Sequence, residues 1–356
     1  MKGLMRMNRQ SLWLWLLVIV LLSGCVQETE ATETALNKSP YKETAFLMGT
    51  VVTVRIYDQD KEQVLESVFD RIYSLTEQID AGETDSEIDK INLAAGVEPV
   101  KVSADIYELV ALGKEHSTHA DGTFDISIGP LTSLWHIGYD DARKPEQAEI
   151  DAVLSFIDYN KIELNNEEQT VFLKEKGMKL DLGAIAKGFI TDEVKEVMQE
   201  HDVKSAIIDL GGNIFVIGTN SNGDKWNVGI QDPFSPRGET VGKLKAKDQS
   251  IVTSGVYERF LEVDGVKYHH LLNPKDGYPF MNDIAGVSII TDRSVDGDAL
   301  STAVFSKGLK DGMEYIESIK GAEAIFISND KKVYTTRGLK GKFELTSEAF
   351  EMARLP

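Results

Sequence analysis

Residues 178–188 read Met178-Lys179-Leu180-Asp181-Leu182-Gly183-Ala184-Ile185-Ala186-Lys187-Gly188, and residues 206–217 read Ala206-Ile207-Ile208-Asp209-Leu210-Gly211-Gly212-Asn213-Ile214-Phe215-Val216-Ile217. The first stretch begins as a strand over 178–182 and turns through Gly183 into a helix expected over 184–200. The second is two apolar runs, 206–209 and 214–217, around Gly211-Gly212-Asn213, which is hairpin turn chemistry. A strand, a helix and then a hairpin, with no regular βαβ rhythm, place the chain in the α+β class with mostly antiparallel sheet.

The same signals recur on either side. Upstream, residues 50–56 form a β-branched strand. Residues 61–79 form an amphipathic helix with Val64, Val68, Ile72, Leu75 and Ile79 at helical spacing. Shorter helices are expected at 86–92 and 104–118, the latter with Ile106, Leu109, Val110 and Leu112 inward. Downstream, strands are expected at 226–231, 249–253, 259–263, 267–272, 287–291, 324–328 and 332–335. Helices are expected at 298–306, closed by Gly308, and at 315–319.

The first residues read as an export signal. Lys2, Arg6 and Arg9 precede an unbroken apolar run at 12–22. As a helix that run rises about 16 Å, well short of the roughly 30 Å hydrocarbon core of a bilayer. Leu22-Ser23-Gly24-Cys25 follows and is similar to a bacterial lipobox, so residues 1–24 are read as a lipoprotein signal and Cys25 as the lipidated first residue of the mature chain. An ordinary secretory signal beside a chance cysteine is the alternative. Cys25 is the single cysteine of the chain, which excludes an intramolecular disulfide, a thiolate metal cluster and a thiol nucleophile in the body of the protein. Residues 25–43, rich in Glu and Thr, are expected to be a disordered tether, leaving 44–356 as one folded unit.

The formal net charge is −20, and loss of the cationic leader makes the mature chain more acidic still. Such a surface argues against nucleic acid as a partner. It also repels anionic substrates unless a metal or a local basic group intervenes.

Four constellations carry possible chemistry. Asp181 to Gly188 joins a strand end to a helix start, where free N–H groups and the helix dipole favour phosphate, with Lys187 about one turn in. A plain glycine turn explains it equally well. Asp296-Gly297-Asp298-Ala299-Leu300-Ser301-Thr302 opens another helix. There Asp296 is the expected cap, and Asp298 and Thr302 share a face as hard oxygen donors suited to Mg²⁺. In Tyr268-His269-His270-Leu271-Leu272-Asn273-Pro274, adjacent histidines on a strand point to opposite faces. At most one serves a site, as an acid or base rather than in a two-histidine zinc centre. Thr123-Phe124-Asp125, leading into Gly129-Pro130-Leu131, sets an aromatic beside a carboxylate, an arrangement able to hold a planar heterocycle or simply to fill a core.

These segments, together with Met48-Gly49-Thr50, Gly211-Gly212-Asn213 and Thr253-Ser254-Gly255, occur in an order that closely resembles the ApbE family of FAD:protein FMN transferases, over roughly residues 44–350. The resemblance implies a T-fold-like α+β architecture with largely antiparallel sheet and flanking helices. It implies Mg²⁺-dependent cleavage of FAD and transfer of FMN to a Thr or Ser hydroxyl of an exported flavoprotein subunit, with release of AMP. Carried over by motif, FAD contacts are Met48, Thr123, Phe124, Asp125, Asp181, Lys187, His270 and Leu272. Metal ligands are the Ala184 carbonyl, Asp298 and Thr302, with Ser301 beside them. His270 becomes the candidate base for the acceptor hydroxyl, with an imidazole expected near its ordinary pKa of 6.5.

The chain departs from the family pattern at three places. Ala81-Gly82-Glu83-Thr84 stands where some members have a Tyr, Ser301 stands where some have Asp, and Asn273 stands in place of an Asp. Two other functions compete: an FAD pyrophosphatase giving free FMN and AMP, and a flavin-binding lipoprotein without turnover. The implied location is the outer face of a cell membrane, lipid-anchored beside the acceptors.

Overall fold

The computed structural model describes residues 36–80 and 85–355, so Cys25, the leader and the Ala81 to Thr84 departure lie outside the described residues. In chain order the strands of the main sheet are β1 (Leu36–Leu47), β2 (Thr50–Asp58), β6 (Ala206–Leu210), β7 (Asn213–Ile217), β10 (Gln249–Gly255), β13 (Ile284–Thr291), β14 (Glu323–Ser328), β15 (Lys332–Thr335) and β17 (Glu351–Met352). They lie side by side in that same order, and every pairing except β15 with β17 is antiparallel. Smaller sheets are formed by β3 (Val100–Lys101), β4 (Ile162–Asn165) and β5 (Thr170–Leu173), by β8 (Trp226–Gln231), β9 (Thr240–Ala246) and β16 (Phe343–Leu345), and by the ribbon β11 (Phe260–Val263) with β12 (Val266–His269).

Both faces of the main sheet are covered. On one, Val52, Val54 and Ile56 of β2 pack with Val68, Ile72 and Leu75 of helix Val64–Ile79 and with Ile190 and Val194 of helix Ala186–Glu200. On the other, Val216, Ile251, Ile290 and Ile325 meet Val228, Ile230, Val241 and Leu244 of β8 and β9. All eight residues of β13 are buried, as a strand covered on both faces requires. Each such Val, Leu or Ile contributes about 1.5–3 kcal/mol on burial.

The expected tether is shortened by this arrangement. Leu36 to Glu43 belongs to β1, because Tyr41 and Ala45 have the β2 edge and the core beneath them to pack on. The strand expected at 178–182 reduces to one parallel bridge, Ile128 with Lys179. The hairpin around Gly211 and Gly212 forms as expected, with Leu210 opposite Asn213. Both glycines have positive φ, 68° and 99°, and a Cβ on Gly211 would lie 2.3 Å from the Thr50 hydroxyl. Glycine there lets the two hairpin tips touch.

The helices expected at 298–306 and 315–319 belong to one element, Ser294–Ser318, broken at Gly308 with φ 74° and ψ −178°. Asn282 donates to the Phe305 carbonyl and Asp283 accepts from Leu309 N–H, satisfying groups freed by the break.

Candidate functional site

Two helix starts meet at the site. A Cβ on Gly188 would lie 2.5 Å from the Ser294 carbonyl, so glycine permits helices Ala186–Glu200 and Ser294–Ser318 to touch backbone to backbone. That contact delivers Lys187 to Asp298, with Nζ 3.5 Å from Oδ1 and 3.2 Å from the Gly183 carbonyl. Gly188 N–H donates to Asp298 Oδ2 at 2.9 Å instead of to the Ala184 carbonyl four residues back. The next N–H, of Phe189, keeps the regular bond to Ile185. The Ala184 carbonyl is therefore left without a donor among the described residues. The Thr302 hydroxyl, one turn beyond Asp298, also makes no hydrogen bond to a described residue.

A nearly buried carboxylate, a vacated carbonyl and an uncommitted hydroxyl form an all-oxygen donor set that fits Mg²⁺, and so few protein ligands leave room for phosphate and water. No cluster of three His, Cys, Asp or Glu able to hold a metal exists among the described residues. Ser301 departs from the expected ligand set. It is fully buried, with its hydroxyl bonded to Ser254 Oγ at 2.8 Å and donating to the Asp298 carbonyl at 2.7 Å. Asp296 departs from its expected role as well. The helix starts at Ser294, two residues before it, and its first N–H groups, on Ser294 and Val295, are taken by the two oxygens of Asp192, each at 2.9 Å. Asp296 instead meets His116 Nε2 at 3.1 Å.

Asp181 adjoins this centre. Its Oδ1 accepts from Gly183 N–H at 2.8 Å, and its own N–H donates to the Ile126 carbonyl. That second bond ties in the Thr123 to Asp125 segment. Asp125 Oδ1 accepts from the N–H and hydroxyl of Ser127, and Oδ2 accepts from Tyr159 N–H. Its carboxylate is thus a loop brace, and burial pushes its proton affinity up. Phe124 is buried edge-on to His116. Thr123 lines a cavity of about 440 Å³ with Asn273, Lys275, Asp276, Tyr278 and Phe280, a volume in the range of small-molecule sites. Leu272 is buried and bridges to Pro279, so its side chain serves the core.

The two histidines separate as expected. His269 is buried with both ring nitrogens engaged, Nε2 on the Phe280 carbonyl and Nδ1 accepting from Leu271 N–H. His270 uses only Nδ1, 3.3 Å from the Arg259 carbonyl, which as an acceptor puts the proton on Nδ1 and leaves the Nε2 lone pair available. Its proton affinity is not the ordinary one: the side chain is half-buried, and the protein packed around it drives its pKa down to about 3, with the charges of Arg259 and Lys187 adding to this. The side chain is neutral at neutral pH, with its Nε2 lone pair free, and anionic substrate beside Arg259 and Lys187 would oppose the smaller, charge-derived part of the lowering.

Three further side chains of the site went unread in the sequence. Arg259 Nη2 donates to the Met48 carbonyl at 3.2 Å, and Arg237 reaches the Thr50 hydroxyl at 3.5 Å. Glu258 is exposed at its edge, yet desolvation by the surrounding protein raises its carboxyl to about 7, against the lowering fields of Lys187 and Arg237. The signal for the arginines was present, since an acidic chain that takes an anion needs local cations and Arg259 follows Thr253-Ser254-Gly255 within five residues.

A sequence model of the ApbE family matches residues 48–326. This chain belongs to the ApbE family. Among its relatives, a protein of Klebsiella pneumoniae named FAD:protein FMN transferase is 34% identical over 312 residues, 88% of this chain and 96% of that one. One of Treponema pallidum with the same name is 34% identical over 332 residues, 88% and 91% of the two chains. The solved structure of the ApbE protein of Thermotoga maritima superposes with a TM-score of 0.79 at 28% identity, covering 85% of this chain and 99% of that one. The ApbE fold and the α+β class are therefore those expected from the sequence.

Proposed function

We propose that this chain is an enzyme that transfers the FMN half of FAD to a hydroxyl of a protein acceptor, releasing AMP. The observation that carries this reading is the diverted Gly188 N–H. By bonding Asp298 it frees the Ala184 carbonyl beside a carboxylate and a lysine, at a helix start that attracts phosphate. The relatives named FAD:protein FMN transferase support it.

Ala184, Asp298 and Thr302 would hold Mg²⁺, which when bound supplies neutralising charge at the pyrophosphate. Lys187 adds a fixed cation to the same wall, and Arg237 and Arg259 extend it toward Met48. The acceptor hydroxyl attacks the flavin-side phosphorus, its proton passes to His270 Nε2, and the bond between the two phosphates breaks toward AMP. Lipid on Cys25 would keep the enzyme on the outer membrane face beside exported flavoprotein subunits and raise their effective concentration.

Asp298→Asn tests the reading. An amide oxygen can still accept from Gly188 N–H, so the fold is kept while the ligand charge is lost. AMP release from FAD with Mg²⁺ and an acceptor subunit is expected to fall by about 100-fold or more. Wild-type turnover in this variant would reject the metal assignment.

A further inference from the structure

We propose that Arg259 is a positioning residue, pinning the ribbon that carries His270 to the hairpin tip that carries Met48. What the two sides do rests on the transfer reading above; the pin itself rests on geometry. Strands β11 and β12 share no ladder with the main sheet. Their last pair is Phe260 with His269, and the next residues, Arg259 and His270, continue it: the Arg259 carbonyl accepts both His270 N–H, at 3.2 Å, and Nδ1, at 3.3 Å. The ribbon is seated by Leu261 and Tyr268 on a separate apolar cluster around Leu131, Trp135 and Ile150. Among the described residues, its one hydrogen bond to the β1–β2 hairpin is Arg259 Nη2 to the Met48 carbonyl.

The Arg259 side chain, exposed to solvent, passes close over two glycines. A Cβ on Gly49 would lie 2.9 Å from Nη2, and a Cβ on Gly138 would lie 2.9 Å from Cδ. Met48 has φ 53°, a left-handed conformation rare for a side chain of its size, and the bond to its carbonyl helps hold it there. One residue thus fixes the separation between a flavin-side contact and the base. A misplacement of about 1 Å at such a pair costs about 100-fold in rate.

The test uses the whole protein as wild type, Arg259→Ala, Arg259→Lys and Gly138→Ala, with melting temperature, AMP release from FAD in the presence of Mg²⁺ and an exported flavoprotein subunit as acceptor, and an NMR titration of His270. The cations facing His270 are Arg259, Lys187 and, when protonated, His269. Arg259→Ala is expected to lose about 10- to 100-fold in turnover at near wild-type melting temperature, with His270 titrating at higher pH. Gly138→Ala keeps the guanidinium but crowds Cδ, so a charge effect alone leaves it unchanged; because Gly138 has φ 102° and alanine also strains the backbone there, the change is read as the pin only where the melting temperature stays near wild type and the His270 titration moves. Arg259→Lys, with a cation and a donor, is expected to recover most of the turnover. Wild-type turnover and titration in Arg259→Ala, or in folded Gly138→Ala, would overturn the proposal. If Gly138→Ala does not fold, an Arg259→Lys indistinguishable from Arg259→Ala would overturn it. If the wild type releases no AMP even with the acceptor subunit present, the transfer reading fails, and the His270 titration in Gly138→Ala, which keeps the Arg259 charge, judges the pin.

Discussion

At the scale of single residues, His270 shows how an environment resets a side chain. The sequence says imidazole and therefore a group that titrates near 6.5, while the fold half-buries it beside cations and moves it to about 3. A depressed proton affinity means that protonation favours the unfolded chain. The stability His270 contributes is thus present above about 6.5 and lost as pH falls toward 3. Urea denaturation of wild type and His270→Gln across that window is expected to show their stability difference shrinking toward the acid end. A constant difference would contradict the lowered proton affinity. That Asp298 and Thr302 share a face was legible, because their spacing at a helix start is written in the chain; that Lys187 meets Asp298 depends on the contact of two helices at Gly188. The removal of Ser301 from the ligand set was not legible, because its hydroxyl answers to Ser254, 47 positions away.

At the scale of elements, local patterns located the longer helices, missed the short ones Gly129–Trp135 and Gln147–Leu154, and placed helix ends less well. Residues 61–79 carry the right apolar stripe, yet the helix begins at Val64. Asp296 looked like a cap, but the N-terminus of helix Ser294–Ser318 is held by Asp192 from helix Ala186–Glu200, a partner that exists only after the two helices pack at Gly188. Asp192 is buried and takes two N–H groups, so Asp192→Ala is expected to cost about 1–2 kcal/mol, read by denaturant unfolding, and to loosen the Lys187–Asp298 contact. An unchanged unfolding midpoint would show that the cap contributes nothing. Strand β1 was misread for a related reason: Asn37 to Glu43 has tether-like composition, and the β2 edge beside it makes it a strand.

At the scale of the whole molecule, the charge of −20 demanded local cations, and the fold gathers Lys187, Arg237 and Arg259 around one wall to meet that demand. No described helix is long and apolar enough to cross a membrane. Membrane attachment in the proposed account depends on Cys25, so Cys25→Ser is expected to move the protein from the membrane to the soluble fraction on fractionation. Retention in the membrane would contradict lipidation as the anchor. The central claim concerns where the FMN goes. It is tested most directly by intact-protein mass spectrometry of an exported flavoprotein subunit incubated with this protein, FAD and Mg²⁺. The account predicts a gain of one FMN on a Ser or Thr of the subunit, matched by AMP; AMP with an unmodified subunit and free FMN would contradict it.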